Sequence, residues 1–120
     1  MRRLDLESLR SARTARTYPV EPDELLTAIQ RTVERLPRWT LGESEENELR
    51  AARETRLLRF EDDVRVRLTP RSEDALGRAP YGARAEFESA SRVGLWDFGQ
   101  NKRNLRELLG AVDQELAARV

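Results

Sequence analysis

The run Val64-Arg65-Val66-Arg67-Leu68-Thr69-Pro70 alternates aliphatic and polar side chains until a proline stops it. A period of two is the spacing at which successive side chains leave a strand on opposite faces, so Val64, Val66 and Leu68 should meet a core while Arg65, Arg67 and Thr69 meet water. One apolar and one charged face is the mark of an antiparallel sheet covered on one side only.

Upstream, Phe60-Glu61-Asp62-Asp63 reads as a tight reversal. Before it, Leu49, Ala51, Thr55 and Leu57 share one parity while Arg50, Glu54 and Arg56 take the other, predicting a strand over 48–58. Trp39 and Leu41 alternate with Arg38, Thr40 and Gly42 in a shorter strand, followed by a polar turn at 43–47. Downstream, residues 71–82 carry two glycines and a proline and read as a connecting loop. In a fourth strand Ala83, Ala85, Phe87, Ser89 and Ser91 oppose Arg84, Glu86, Glu88 and Arg92.

Two helices flank these strands. Pro22 suits a first turn, Asp23 and Glu24 complement the positive end of the dipole, and Leu25, Leu26, Ile29, Val33 and Leu36 recur at helical spacing, predicting a helix over 22–36 that Pro37 stops. Phe98, Leu105, Leu108, Leu109, Val112 and Leu116 mark a long amphipathic C-terminal helix, weakened only by Gly110. The expected fold class is therefore α+β: a two-layer sandwich in the order α-β-β-β-β-α, with both helices on one face of a four-stranded antiparallel meander. Residues 1–17 read as an N-terminal arm and 18–120 as a single α+β domain. Leu25, Ile29, Val33, Trp39, Val64, Val66, Leu68, Phe87, Leu105, Leu109 and Val112 should form the core.

A chain of 120 residues supports one such core. Lys+Arg and Asp+Glu are each 22, so no global field draws the protein to nucleic acid or an anionic membrane, and any charged partner must be met by a local patch. Cysteine and histidine are both absent, which excludes disulfides, thiolate nucleophiles, Cys/His zinc sites and imidazole bases together. The residues after Met1 lack the apolar run of a signal peptide, and no stretch approaches the ~20 apolar residues of a membrane span, so the expected location is cytoplasmic.

Three short elements carry a family resemblance. Phe60-Glu61-Asp62-Asp63-Val64, Ser89-Ala90-Ser91-Arg92-Val93-Gly94 and Asp97-Phe98-Gly99-Gln100-Asn101 resemble, in order and spacing, the F-x-D-D-V, R-S-x-S-R-x-G and D-L-G-x-N-x-x-R-I elements of the domain of unknown function 1499 family. The resemblance runs from about Tyr18 to the end and implies a small α+β domain with no assigned reaction. Glu88 stands where that pattern usually has arginine, Trp96 where it has a small residue, and Asn104 where it has the later arginine. The cysteine-containing N-terminal element of many family members is missing here.

Asp62, Asp63 and Asp97 are the acidic constellation with motif character, and carboxylates are the hard oxygen ligands that Mg²⁺ or Ca²⁺ prefers. Their spacing is that of no calcium loop. The simpler reading has Asp62 and Asp63 shaping a hairpin turn and Asp97 capping the last helix, with Gln100 reaching back. Asn101 shares a helix face with Leu105, Leu108 and Val112, while Ser89 and Ser91 share the parity of Phe87, so these side chains should meet between the layers. They form either a polar clasp or the floor of a small polar pocket whose mouth is lined by Trp96 and Arg92.

Arg50, Arg56, Arg65, Arg67, Arg84 and Arg92 fall on the open face among Glu54, Glu86 and Glu88, which reads as a solvated salt-bridge lattice. Gly94 and Gly99 fit no phosphate loop and suit tight turns. The expected function is a non-catalytic binding domain without cofactor, for a partner protein or small ligand rather than nucleic acid. Its functional end runs from Arg92 to Asn101, with Ser89, Ser91, Arg92, Trp96, Asp97 and Asn101 as contacts. The competing class is a metal-assisted hydrolase on Asp62, Asp63 and Asp97.

Overall fold

The computed structural model describes residues 11–55, 60–71, 76, 81–92 and 99–118. The elements are β1 (Ser11–Tyr18), α1 (Pro22–Arg35), β2 (Trp39–Glu45), β3 (Glu48–Glu54), β4 (Glu61–Pro70), β5 (Ala83–Ser91) and α2 (Gln100–Ala117). The class is α+β, and all the strands pair antiparallel in one five-stranded sheet of order β1-β5-β4-β3-β2.

The expected four strands fall one short. Residues 11–17, read from the sequence as part of an arm, belong to an edge strand paired with β5 from Ser11 opposite Ala90 to Tyr18 opposite Ala83. The pattern was silent because Ser-Ala-Arg-Thr-Ala-Arg-Thr offers no large apolar side chain to mark a face, whereas the backbone ladder that holds the strand is blind to side-chain type. The order is thus β-α-β-β-β-β-α, with α1 crossing from one edge of the sheet to the other and β2 to β5 forming the expected meander.

The β2–β3 hairpin is tighter than its polar composition suggests. Glu45 faces Glu48, so residues 43–45 are strand rather than turn, and the register shifts between Leu41 and Ser44. β4 begins at Glu61, which places Asp62 and Asp63 inside the strand and not in a reversal. Leu57, Leu58 and Arg56 lie outside the described residues.

Each residue expected in the core is buried. Val64, Val66, Leu68 and Phe87 rise from the sheet against Leu25, Ile29 and Val33 of α1 and Leu105, Leu108, Leu109 and Val112 of α2. α1 packs over β2 and β3 while α2 packs over β1 and β5. No helix among the described residues is long and apolar enough to cross a membrane.

Candidate functional site

The layer between sheet and helices is apolar except towards one end, where Asp62, Ser89, Asn101 and Asn104 are buried. Thr32 is buried elsewhere, and its hydroxyl is satisfied within its own helix by the Ala28 carbonyl at 2.7 Å. Antiparallel register brings three of the polar strand positions together, since Asp62 faces Ser91 and Val64 faces Ser89. Asn101 and Asn104 stand in the opening turns of α2 and point into the same layer as Leu105 and Leu108.

A continuous network joins them. Ser89 donates its hydroxyl to Asn101 Oδ1 at 2.6 Å, and Asn101 Nδ2 donates to Ser91 Oγ at 2.9 Å. Asn104 Nδ2 donates to Asp62 Oδ2 at 2.8 Å and to Ser89 Oγ at 3.1 Å, while Gln100 Nε2 donates to Asn104 Oδ1 at 2.7 Å. Buried polar groups cost free energy unless partnered, and a mutually satisfied set in low dielectric locks its members' geometry. The network pins the start of α2 to the ends of β4 and β5.

Adjacent aspartates part company across the strand. Asp62 is 2% exposed beneath α2, whereas Asp63 lies on the open face. There Arg92 grips it: Nε lies 2.9 and 3.0 Å from the two Asp63 oxygens, Nη2 lies 2.7 Å from Oδ1, and Nη1 reaches the Glu61 carboxylate. The hydrogen bond and charge of Asp63 push the Arg92 pKa further up, so this guanidinium is a fixed cation. Two carboxylates committed to opposite faces cannot share one ion. Among the described residues no group of three or more acidic side chains is placed to hold a metal.

The start of α2 also departs from expectation. Its N-cap is Gly99, at φ 81°, a left-handed conformation that glycine adopts without steric cost. The N-cap position is thus Gly99, where the sequence suggested Asp97, and Gln100 turns forward to Asn104. Trp96, Asp97 and Gly94 lie outside the described residues.

Of the expected contacts, Ser89, Ser91 and Asn101 come together, and Arg92 sits on the opposite side of the sheet with Asp63. Sequence reasoning missed Asn104 and the inward Asp62. Both carried a signal: Asn104 is one turn from Asn101 on the same stripe, and Asp62 shares the parity of Val64 and Val66.

The DUF1499 family model, described as a protein of unknown function, matches residues 6–112. No curated protein matches the chain. A crystal structure of TTHA0849 from Thermus thermophilus is similar at a TM-score of 0.46 and 12% identity, covering 91% of this chain and 98% of that one. The family match takes in every strand, α1 and most of α2, with the polar network among them, and the chain belongs to the DUF1499 family of proteins of unknown function.

Proposed function

We propose that the chain is a non-catalytic binding domain whose functional end runs from Arg92 to Asn101 and meets a small ligand or a partner protein. The observation that carries this reading is that both ends of that segment are anchored. Arg92 is forked onto Asp63 at its start, and Asn101 is bonded to Ser89 and Ser91 at its end. Binding residues concentrate on loops that a rigid scaffold positions, and anchored ends lower the ordering cost of binding. Ser91, Arg92, Trp96 and Asp97 are the proposed contacts, held up by Ser89 and Asn101.

Absence of catalysis is supported by composition and geometry together. The chain has no histidine or cysteine, and Asp62 and Asp63 are each engaged by an amide or a guanidinium on opposite faces. The metal-assisted hydrolase would need these carboxylates and Asp97 at one ion.

Two measurements test the reading. In melting curves with millimolar Mg²⁺, Mn²⁺ or Ca²⁺ against EDTA, a metal ligand set would show stabilisation of roughly 2.7 kcal/mol at ~100 Kd. No shift is expected, and a rise abolished by Asp97→Asn would replace the binding domain by the enzyme. In an NMR fragment screen, perturbed amides should cluster between residues 92 and 101 and fade in Trp96→Ala. Fragments that consistently perturb other surfaces would refute the assignment of the functional end.

A further inference from the structure

The outward face of the sheet carries its charges in rows. Arg13, Glu88, Arg65 and Arg50 face one another across β1, β5, β4 and β3, and Ala15, Glu86, Arg67 and Glu48 form the next row. Glu88 is held between Arg13 at 2.5 Å and Arg65 at 3.4 Å. Glu86 lies 3.6 Å from Arg84, and Glu48 lies 3.6 Å from Arg50 and 3.7 Å from Arg65. Every one of these glutamates is thus drawn to an arginine other than Arg67. Although Arg67 stands between Glu48 and Glu86 in the register, its exposed side chain forms no ion pair or hydrogen bond to any described residue.

Ala15 is the smallest side chain of its row. Beside it opens a hollow of about 450 Å³, lined by Arg13, Arg65, Arg67, Arg84, Glu86 and Glu88. Among its described lining residues, four arginines against two glutamates make this hollow cationic in a protein whose formal charge is zero. Its volume lies in the range of small-molecule sites. On the β3 side a second concavity shares Arg67 but is lined by Glu45, Glu46 and Glu48. A long polyanion leaving the hollow in that direction would run into these carboxylates. Among the described residues no aromatic platform for bases borders it, because the exposed large apolar side chains are Phe60, Leu76 and Tyr81, none of which lines the hollow.

We infer that the hollow on the open face binds a small dianion bearing carboxylate or phosphate oxygens, with Arg67 as its central contact and Arg13, Arg65 and Arg84 around it. A guanidinium presents its N–H groups in a planar fork that matches either oxyanion, which is why arginine rather than lysine suits such a site. Glu86 and Glu88 cancel part of the arginine charge and so favour a compact dianion over a polymer. None of its described lining residues belongs to the 92–101 segment, and the inference does not depend on the function proposed for that segment.

Isothermal titration at low ionic strength tests this, with inorganic phosphate and succinate as separate titrants and an oligo-uridylate as the third. Saturable binding of at least one of the two small anions is expected, and which of them binds distinguishes the two chemistries. Arg67→Ala should weaken it about tenfold, the loss of one charge-assisted hydrogen bond. Arg31→Ala, at an exposed position on α1, should leave it unchanged, and Glu86→Gln should tighten it by removing a competing carboxylate. At ~1 M NaCl, where the screening length falls to ~3 Å, binding should be lost. Failure of both small anions to bind, or indifference to Arg67→Ala, overturns the inference. Tighter binding of the oligo-uridylate than of either small anion overturns it as well, in favour of a nucleic-acid surface.

Discussion

Asn104 of α2 donates its side-chain amide to Asp62 of β4 across 2.8 Å, and neither residue is more than 2% exposed. The pair lies 42 residues apart in sequence and ties the last helix to the sheet. Because Asn104 also donates to Ser89, its removal withdraws donors from two buried acceptors at once. Asn104→Ala should lower stability by about 2–3 kcal/mol through lost hydrogen bonding. Urea unfolding measures it, and an unchanged midpoint would mean that the network does not hold α2 in place.

Arg92 and Asp63 should behave as a coupled pair on the open face. Their contact is forked but exposed, so the coupling is modest and sensitive to salt. In a double-mutant cycle the melting-temperature losses of Arg92→Ala and Asp63→Ala should fail to add, and the non-additivity should shrink in ~1 M NaCl. Strictly additive losses at low salt would dissolve the pair.

Glu107 makes stability depend on acid. One of its oxygens receives the indole N–H of Trp39 and, at 2.9 Å, the Nε–H of Arg53. Burial alone pushes this carboxyl up, but those hydrogen bonds and the charges of Arg53 and Arg38 outweigh it and hold Glu107 below the ordinary carboxylate range. A folded pKa below the unfolded one gives stabilisation that is complete above the unfolded value of ~4.3 and is lost as pH falls through the folded value. The melting-temperature advantage of wild type over Glu107→Gln should therefore narrow from pH ~6 towards pH ~3. A gap that stays constant over that range would show that Glu107 titrates alike in both states.

Tyr18 sets the alkaline side. Its hydroxyl is buried without a hydrogen-bond partner among the described residues. Burial first, then the charge of Asp113, against an opposing pull from Arg16, push its pKa from 10.0 up to about 12. A raised folded pKa gives stability that is complete below 10.0 and is lost as pH rises towards about 12. Tyr18→Phe removes an unpartnered hydroxyl, so it should be at least as stable as wild type at neutral pH, by up to about 1 kcal/mol. It should also fall less between pH ~8 and pH ~11. A destabilised Tyr18→Phe would show that the hydroxyl has a partner after all.

Residue order alone determined which way most side chains face. Val64, Val66, Leu68 and Phe87 went inward, Arg65 and Arg67 outward, and α1 ends at Arg35, just short of Pro37, because period, parity and proline act over a few neighbouring residues. The inward Ser89 and Asn101 were legible for the same reason. Partner choice was legible for Asn101 with Ser89 and Ser91, but for little else. That β1 lies beside β5, that Asn104 finds Asp62, and that Arg67 has no ion pair among the described residues while Glu86 turns to Arg84 all depend on how segments far apart in the chain come together. A one-dimensional pattern states that a side chain is buried or exposed; only closure of the sheet decides what it touches, since strand pairing runs through backbone groups that every residue carries alike.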